Sequence, residues 1–347
     1  MPIGIQSVDN VIRGLLDGAY PTFGQTHFIV DSDFRTAAQG WSRADRTGPL
    51  DLAEARRGSP GGVQYVFRTG DYATDAACLQ AAHDAAIAFR GDTLFFTPGS
   101  LSIGTIVNVT TETLRLLGPA VNYPLQARAT LTATVDSALS LAATADDMEL
   151  AFLKLIPLTN AVIADVTGAA NRGYWHHFTY DADGVAGSTS TSLIDFGGAA
   201  LDWRFDSFYI LTDAAQAAPI VTTGDPIRMA INNFTHYHAG GTMAIGLLEV
   251  NGTASFGFDI GPGLGLVAGV TAAVTTLVDV ADQATAISHG LTHDFRGQGY
   301  ATATTLITLA GTTAEWTIAS ESCIFGTTDA AATTTTGTFT VGYKYTS

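Results

Sequence analysis

GDYATDAACLQAAHDAAIAFRGDTLFFTPGSLSIG, residues 70–104, changes texture twice in 35 residues. Thr74 or Asp75 can cap a helix whose side chains then bond the first free backbone N–H groups. Behind that cap, Ala77, Leu79, Ala81, Ala82, Ala85, Ile87 and Ala88 form a face of small apolar residues. Arg90-Gly91 is expected to end the helix. Short apolar runs follow, broken by the turn-forming pair Pro98-Gly99. Nothing downstream repeats this helix, so its role has to be sought in what it covers.

Between residues 110 and 260 the chain reads as strands. The runs TLRLLG, ATLTATV, MELAFLKLI, YWHHFTY, LDWRFDSFYI, RMAINNFTHYH and GTASFGFDIG are separated by Gly- or Asp-rich turns such as DADGVAGSTS and TTGDP. Their centres recur at roughly 20 to 30 residues, the signature of a solenoid whose coils bury their edges only by stacking. Phe152, Phe178, Phe208, Phe234 and Phe258 sit near the middle of the later runs. They predict a column of rings along the stack, about seven coils long, because aromatic contacts add to area burial. A β-sandwich is the competing reading, although its strands would follow each other every 8 to 12 residues.

Two flanks differ from this body. Residues 1–68 are polar, rich in Pro and Gly, and hold an arginine cluster (Arg35, Arg43, Arg46, Arg56, Arg57, Arg68), so they read as a docking arm. From residue 263 onward, TTLVDVADQATAI, ATATTLITLAG, AEWTIASESCIFG and TGTFTVGYKYTS alternate apolar and polar residues at period two. With turns about every ten residues, that segment predicts an antiparallel, jelly-roll-like β-sandwich over 263–347. The expected organisation is therefore an arm (1–68), a helix-capped parallel β-helix (69–262) and a C-terminal sandwich (263–347), mainly β throughout.

Gly70-Asp71, Thr74-Asp75, Leu79 through Ala88, Gly91-Asp92, Leu94 through Phe96 and Pro98-Gly99 together resemble the opening of pectate-lyase-like right-handed β-helices, notably bacteriophage tailspikes and virion spikes. Asp92 stands where that family has a second glycine, and Thr97 where it has a first proline. The resemblance covers about 35 residues and concerns fold, with the solenoid spacing extending it to residue 260. It implies a virion surface protein assembled in the host cytoplasm: a spike, head fibre or capsid decoration. It further implies a homotrimer, contacts to other virion proteins through residues 1–68, and a host-facing surface that binds a glycan or receptor. Many relatives cleave polysaccharides, so the alternative is a depolymerase acting on host surface glycan.

Composition narrows the partners. The formal net charge is -16, which disfavours nucleic acid and anionic membrane surfaces. The longest apolar stretches, such as GLGLVAGVTAAV, are short of the roughly 18 residues needed to span a bilayer, so no membrane insertion is expected. MPIGIQSVDNVIRGLLDG lacks a basic start before an apolar run, and no export signal is expected. Cys78 and Cys323 stand far apart without metal-ligand spacing and read as two isolated small buried residues. No cofactor and no metal are expected.

Candidate site residues follow from the spacing of polar groups. Glycoside cleavage needs two carboxyl groups about 5 to 9.5 Å apart. Asp202 and Asp206 share a strand face with Arg204 between them, yet at roughly 3.3 Å per residue they lie about 13 Å apart. They are weak catalytic candidates that would need a partner from another coil. Alignment on the phenylalanines sets His176, Asp206 and Asn232 at one offset in successive coils, as a polar ladder or a groove for sugar hydroxyls. Arg204, Trp175 and Tyr237 join His176 and Asn232 as ligand-binding candidates; Trp175, Trp203, Tyr209 and Tyr237 read either as a stacking platform for sugar rings or as a buried aromatic core. DADG at 181–184 resembles half of a calcium loop without its Glu and reads as a solvated turn. His176-His177 and His236-x-His238 lack further ligands for a metal.

Overall fold

The computed structural model describes residues 27–31, 64–88, 91–119, 129–186, 190–252, 255–261, 263–267 and 272–280, and then the strands at 285–294, 305–309, 315–324, 330–334, 338–341 and 345–346. Every strand pairing among them is parallel, and the chain winds through three faces per coil. The first coil contributes β3 (Thr93–Phe96), β4 (Gly99–Ile103) and β5 (Val107–Val109), one to each face. The third face grows into a nine-stranded sheet, and the first two share an 18-stranded one. In coils where no turn intervenes, the first two faces are crossed by one bent strand, as in Leu201–Thr212 and Ile227–His238.

Stacking in register explains why like residues fall on like. Leu94, Leu116, Leu150, Trp175, Phe205, Ile231 and Ile260 occupy one column of the first face and are all buried. The expected phenylalanine column forms in part. Phe178 stacks on Phe208 with centroids 4.9 Å apart, and Phe208 meets Phe234 at 6.0 Å. Phe152 is not a member: it turns the corner with φ of 59°, and the next residue, Leu153, faces the core in its place. Phe258 belongs to a neighbouring column, in register with Met229 and Trp203.

The corner ahead of the first face repeats an unusual conformation. Asp147, Arg172, Asp202 and Arg228 all have φ between 57° and 60°. Non-glycine residues there cost of order 1–3 kcal/mol and persist where surroundings fix them. Uncharged Thr113 shares the conformation at 62°, and backbone bonds from the Thr113, Asp147 and Arg172 amides to the carbonyls of Asp146, Asn171 and Leu201 hold the corner, with ion pairs added from coil to coil. The Arg172 Nε donates to Asp147 Oδ1 at 2.6 Å, and Arg228 grips Asp202 through Nε and Nη2 at 2.5 and 2.7 Å.

Helix α1 runs Asp75–Asp84 with Thr74 as N-cap, its hydroxyl oxygen accepting from the Ala77 amide at 3.1 Å. It ends earlier than Arg90-Gly91, at Ala85, and Ile87 is 43 % exposed instead of lining the face. Its inner residues Ala76, Cys78, Leu79 and Ala82 join the core. Its polar residues meet the backbone of the first coil, where β4 and β5 have only one strand neighbour each. Asp75 Oδ2 accepts from the Ser102 amide (2.7 Å), Gln80 brackets Asn108 by accepting from its N–H (2.7 Å) and donating to its carbonyl (3.2 Å), and His83 Nε2 accepts from the Thr110 amide (3.0 Å). The helix thus supplies, from side chains, the partners that a further coil would supply from backbone, which is how an exposed strand edge is blunted. The edge of β3 is met differently: β1 (His27–Asp31) pairs with it, and β2 (Gln64–Arg68) pairs with β1. These two strands fall inside the segment expected to be an arm; the rest of 1–63 lies outside the described residues.

The antiparallel sandwich expected over 263–347 is not what the described strands form. Thr285–Asp294 pairs in parallel with Glu315–Ile324, and Thr305–Leu309 with both Ala273–Val280 and Ala330–Thr334, continuing the same ladders. A solenoid strand has one side in the core and one in solvent, so it shows the same period-two alternation as a sandwich strand.

The outer side of the third face carries a row Ser140, Asp165, Asp195, Val221, Glu249 and Asp279. Burial, then the neighbouring Asp195 and Asp136, pushes the Asp165 carboxyl above its usual range; burial does the same for Asp195, and burial with Glu249 for Asp279. A carboxyl whose folded pKa is raised binds its proton more tightly when folded, so the strain is full above the folded pKa and relieved as pH falls through it. Asp165→Asn is therefore expected to raise the melting temperature at pH 7, with the advantage over the parent fading below about pH 4 as both Asp165 and its unfolded counterpart become protonated. Thermal melts of both proteins from pH 3.5 to 8 check this; a pH-independent difference would contradict it.

Candidate functional site: a polar groove on the first face

Side chains that point outward from the first face line a groove of about 640 Å³. The groove is lined by Arg172, Gly173, Tyr174, Asp202, Arg204, Asp206 and Asn232, a part of two longer outward rows on this face. One is Arg115, Glu149, Tyr174, Arg204, Ala230 and Asp259; the other includes Ala151, His176, Asp206 and Asn232. The expected alignment of His176, Asp206 and Asn232 at one offset is thus the observed register. Strand alternation produces it: with Trp175, Phe205 and Ile231 inward, their neighbours must face out.

At the upstream end the polar groups form a chain. Arg115 Nε lies 3.1 Å from Glu149 Oε2, Glu149 Oε1 lies 2.9 Å from His176 Nε2, and His176 Nδ1 lies 2.8 Å from His177 Nδ1. The hydrogen bond from His176, and secondarily Arg115, hold the Glu149 carboxyl below its usual range against the effect of burial. An ionised Glu149 can only accept, so His176 Nε2 donates to it. The contact between the two Nδ1 atoms is a hydrogen bond in which one of the rings carries its proton at Nδ1. Burial and the adjacent His176 push the His177 pKa down, outweighing Asp206. Tyr174, 38 % exposed, stacks on His176 with centroids 4.4 Å apart.

Downstream, the aspartates are engaged. The bidentate bond from Arg228 holds the Asp202 carboxyl below its usual range. Asp206 accepts from Asn233 Nδ2 at 2.7 Å and from the Ser207 hydroxyl at 3.1 Å. The two share the outward side of one strand, as expected, and each is tied to a different neighbour.

Two expected ligand-binding residues lie elsewhere. Trp175 is fully buried, edge-on to Trp203 and Phe205 at 6.0 Å, and cannot stack on a ligand. Tyr237 is 39 % exposed but lies on the second face, in register with Leu211. His236 and His238 point inward, where Thr212 Oγ1 sits 3.0 and 2.9 Å from their rings. Among the described residues no three His, Cys, Asp or Glu are grouped to hold a metal ion. Asp181 of the DADG turn pairs with Lys154, and its Oδ1 accepts from the Asp183 amide, closing a local turn. Cys78 is buried in the core. No described helix is long and apolar enough to cross a membrane. The residues that sequence reading passed over are Glu149, Arg172, Tyr174 and Asn233. In GYWHHF the signal was available, because burying the tryptophan forces Tyr174 and His176 outward together.

No family model matches the chain, and no curated protein sequence matches it either. Among solved structures it is similar to one described as Geobacillus virus E2 ORF18, at 10 % identity and a TM-score of 0.42, over 79 % of this chain. The match spans 61 % of that protein's own length.

Proposed function

We propose that this chain is a structural protein of a bacteriophage particle surface, a spike, head fibre or capsid decoration, whose first-face groove binds a host glycan. The observation that carries this reading is the groove itself: the coil register sets Tyr174 beside Arg204 and Asp206 beside Asn232, so that one cavity is lined by an exposed aromatic ring, a guanidinium, a carboxylate and an amide. Aromatic faces with ordered hydroxyl and amide partners suit sugar rings. The tailspike-like opening around Gly70–Gly99 supports the particle setting. We further propose a homotrimer that docks to other virion proteins through residues 1–68. Mass spectrometry of purified particles should detect the chain at structural copy number, and a truncation lacking residues 1–26, which keeps β1 on the edge of β3, should fold yet fail to join particles. Absence of the chain from particles, or normal incorporation of the truncation, would overturn those two elements respectively.

A depolymerase is the second reading, and the groove electrostatics bear on it. Cleavage requires one carboxyl that holds a proton as general acid. Asp202 and Glu149, each bound to an arginine, are instead held in the ionised form. Neither of these two is suited to be that acid, so hydrolysis here would need another carboxyl of the groove, Asp206. Reducing ends released from host surface polysaccharide by the native protein, and lost in Asp206→Asn, would decide for the depolymerase.

A further inference from the structure

Downstream of β3, four arginines stand along the described first face, and three of them are neutralised by a carboxylate from an adjacent coil: Arg115 by Glu149, Arg172 by Asp147, and Arg228 by Asp202. Arg204 is different. Its row neighbours are Tyr174 on one side and Ala230 on the other, neither of which is a carboxylate. Along its own strand, Asp202 is taken by Arg228, and Asp206 by Asn233 and Ser207. The Arg204 side chain is exposed and makes no hydrogen bond or ion pair among the described residues; its charge acts on Asp202 and Tyr174 only at a distance. In a chain of net charge -16, a cation left unpaired in the middle of a groove is a place for an external anion.

We infer that Arg204 is the anchor for a carboxylate-bearing sugar unit, and that the glycan bound by this groove is acidic at isolated positions along a largely neutral chain. This rests on the glycan-binding reading above and gives it a ligand class. A guanidinium matches a carboxylate with two parallel N–H donors, a geometry that an ammonium does not offer. The short side chain of Ala230, about 4.8 Å along the stack, leaves floor space beside the fork for the sugar ring. Tyr174 flanks the opposite side with an exposed aromatic ring, and Asn232 and Asp206 present an amide and a carboxylate to hydroxyls. The same acidity that isolates Arg204 sets the limit on charge density: Asp202 and Asp206 would repel a second carboxylate, so a polyuronate is disfavoured.

The test uses the purified full-length protein and glucuronate-, galacturonate- and N-acetylneuraminate-terminated oligosaccharides, each paired with a counterpart whose carboxyl is reduced to a hydroxymethyl. Saturation-transfer NMR and titration calorimetry should show at least one acid binding, with its reduced partner weaker by about tenfold or more. Arg204→Ala should remove that preference, Arg204→Lys should restore only part of it, and circular dichroism should be unchanged because the side chain is exposed. Ala230→Glu offers an independent check: it sets a carboxylate one coil from Arg204 and should abolish acid binding while leaving Arg204 in place. Equal binding of acids and reduced partners, or an intact preference in Arg204→Ala, would overturn the carboxylate assignment and leave glycan binding standing. Failure of every sugar to bind would overturn both, whereas the particle assignment is decided separately by virion mass spectrometry.

Discussion

Trp203→Ala is expected to destabilise the protein by about 3–5 kcal/mol, the usual range for deleting a large buried aromatic. Trp203 is 1 % exposed, lies 4.9 Å from Phe196 and 6.0 Å from Trp175 between ring centroids, and donates from Nε1 to the Ala170 carbonyl at 2.7 Å. Its space is provided from the coil before: Gly173 occupies the same column, and a Cβ there would come within 2.6 Å of the indole. Truncation therefore leaves a cavity between glycine and alanine that no adjacent side chain can fill, together with an orphaned carbonyl. Denaturant melts should show a lowered midpoint. Trp203→Phe, which keeps a ring but loses the N–H donor, should fall between the two. A loss below about 1 kcal/mol for alanine would mean that the column collapses to fill the gap.

Gly198→Ala is expected to cost at least the 1–3 kcal/mol typical of overpacking, and to act on backbone instead of on a side chain. The corner after the third face stacks Gly168, Gly198 and Gly224, and a Cβ added at Gly198 would overlap the carbonyl of Gly168. A flexible side-chain end could swing aside; a backbone carbonyl cannot. Gly184 is the control, since a Cβ there meets nothing within 4 Å, although its φ of 76° makes the backbone less tolerant. If thermal melts rank Gly184→Ala as the more damaging change, the close-approach account of this corner is wrong.

Much of the architecture was legible because stacked parallel coils impose repetition on sequence. The recurrence of aromatic-rich runs indicated a solenoid, and aligning them set His176, Asp206 and Asn232 in one row. What the runs could not give was phase. A left-handed corner residue breaks the period-two pattern, so Phe152, which sits on the corner, looked equivalent to Phe178, which follows one. A clearer phase marker was present: DVTGAA at 165–170 and DFGGAA at 195–200 are the same corner in consecutive coils. Strand direction was not legible either. Three strands per coil produce a turn about every ten residues, as a sandwich does, so the segment after residue 263 read equally as antiparallel. The site was half legible: the ladder emerged from spacing, whereas the isolation of Arg204 depends on which carboxylates each arginine reaches in the next coil.

The corner sequence Asp147, Arg172, Asp202, Arg228 alternates in charge with a period of two coils. A solenoid of near-identical rungs has an obvious way to go wrong, since a coil can dock one step out of place and still satisfy most of its hydrogen bonds. Such a slip would set aspartate on aspartate and arginine on arginine, so the alternation acts as a counting device that rejects odd displacements. It also constrains how such a chain can lengthen over evolutionary time. Duplicating a single coil in this stretch would create a like-charged step, whereas duplicating a pair would preserve the pattern, so homologues of different length should differ here by even numbers of coils.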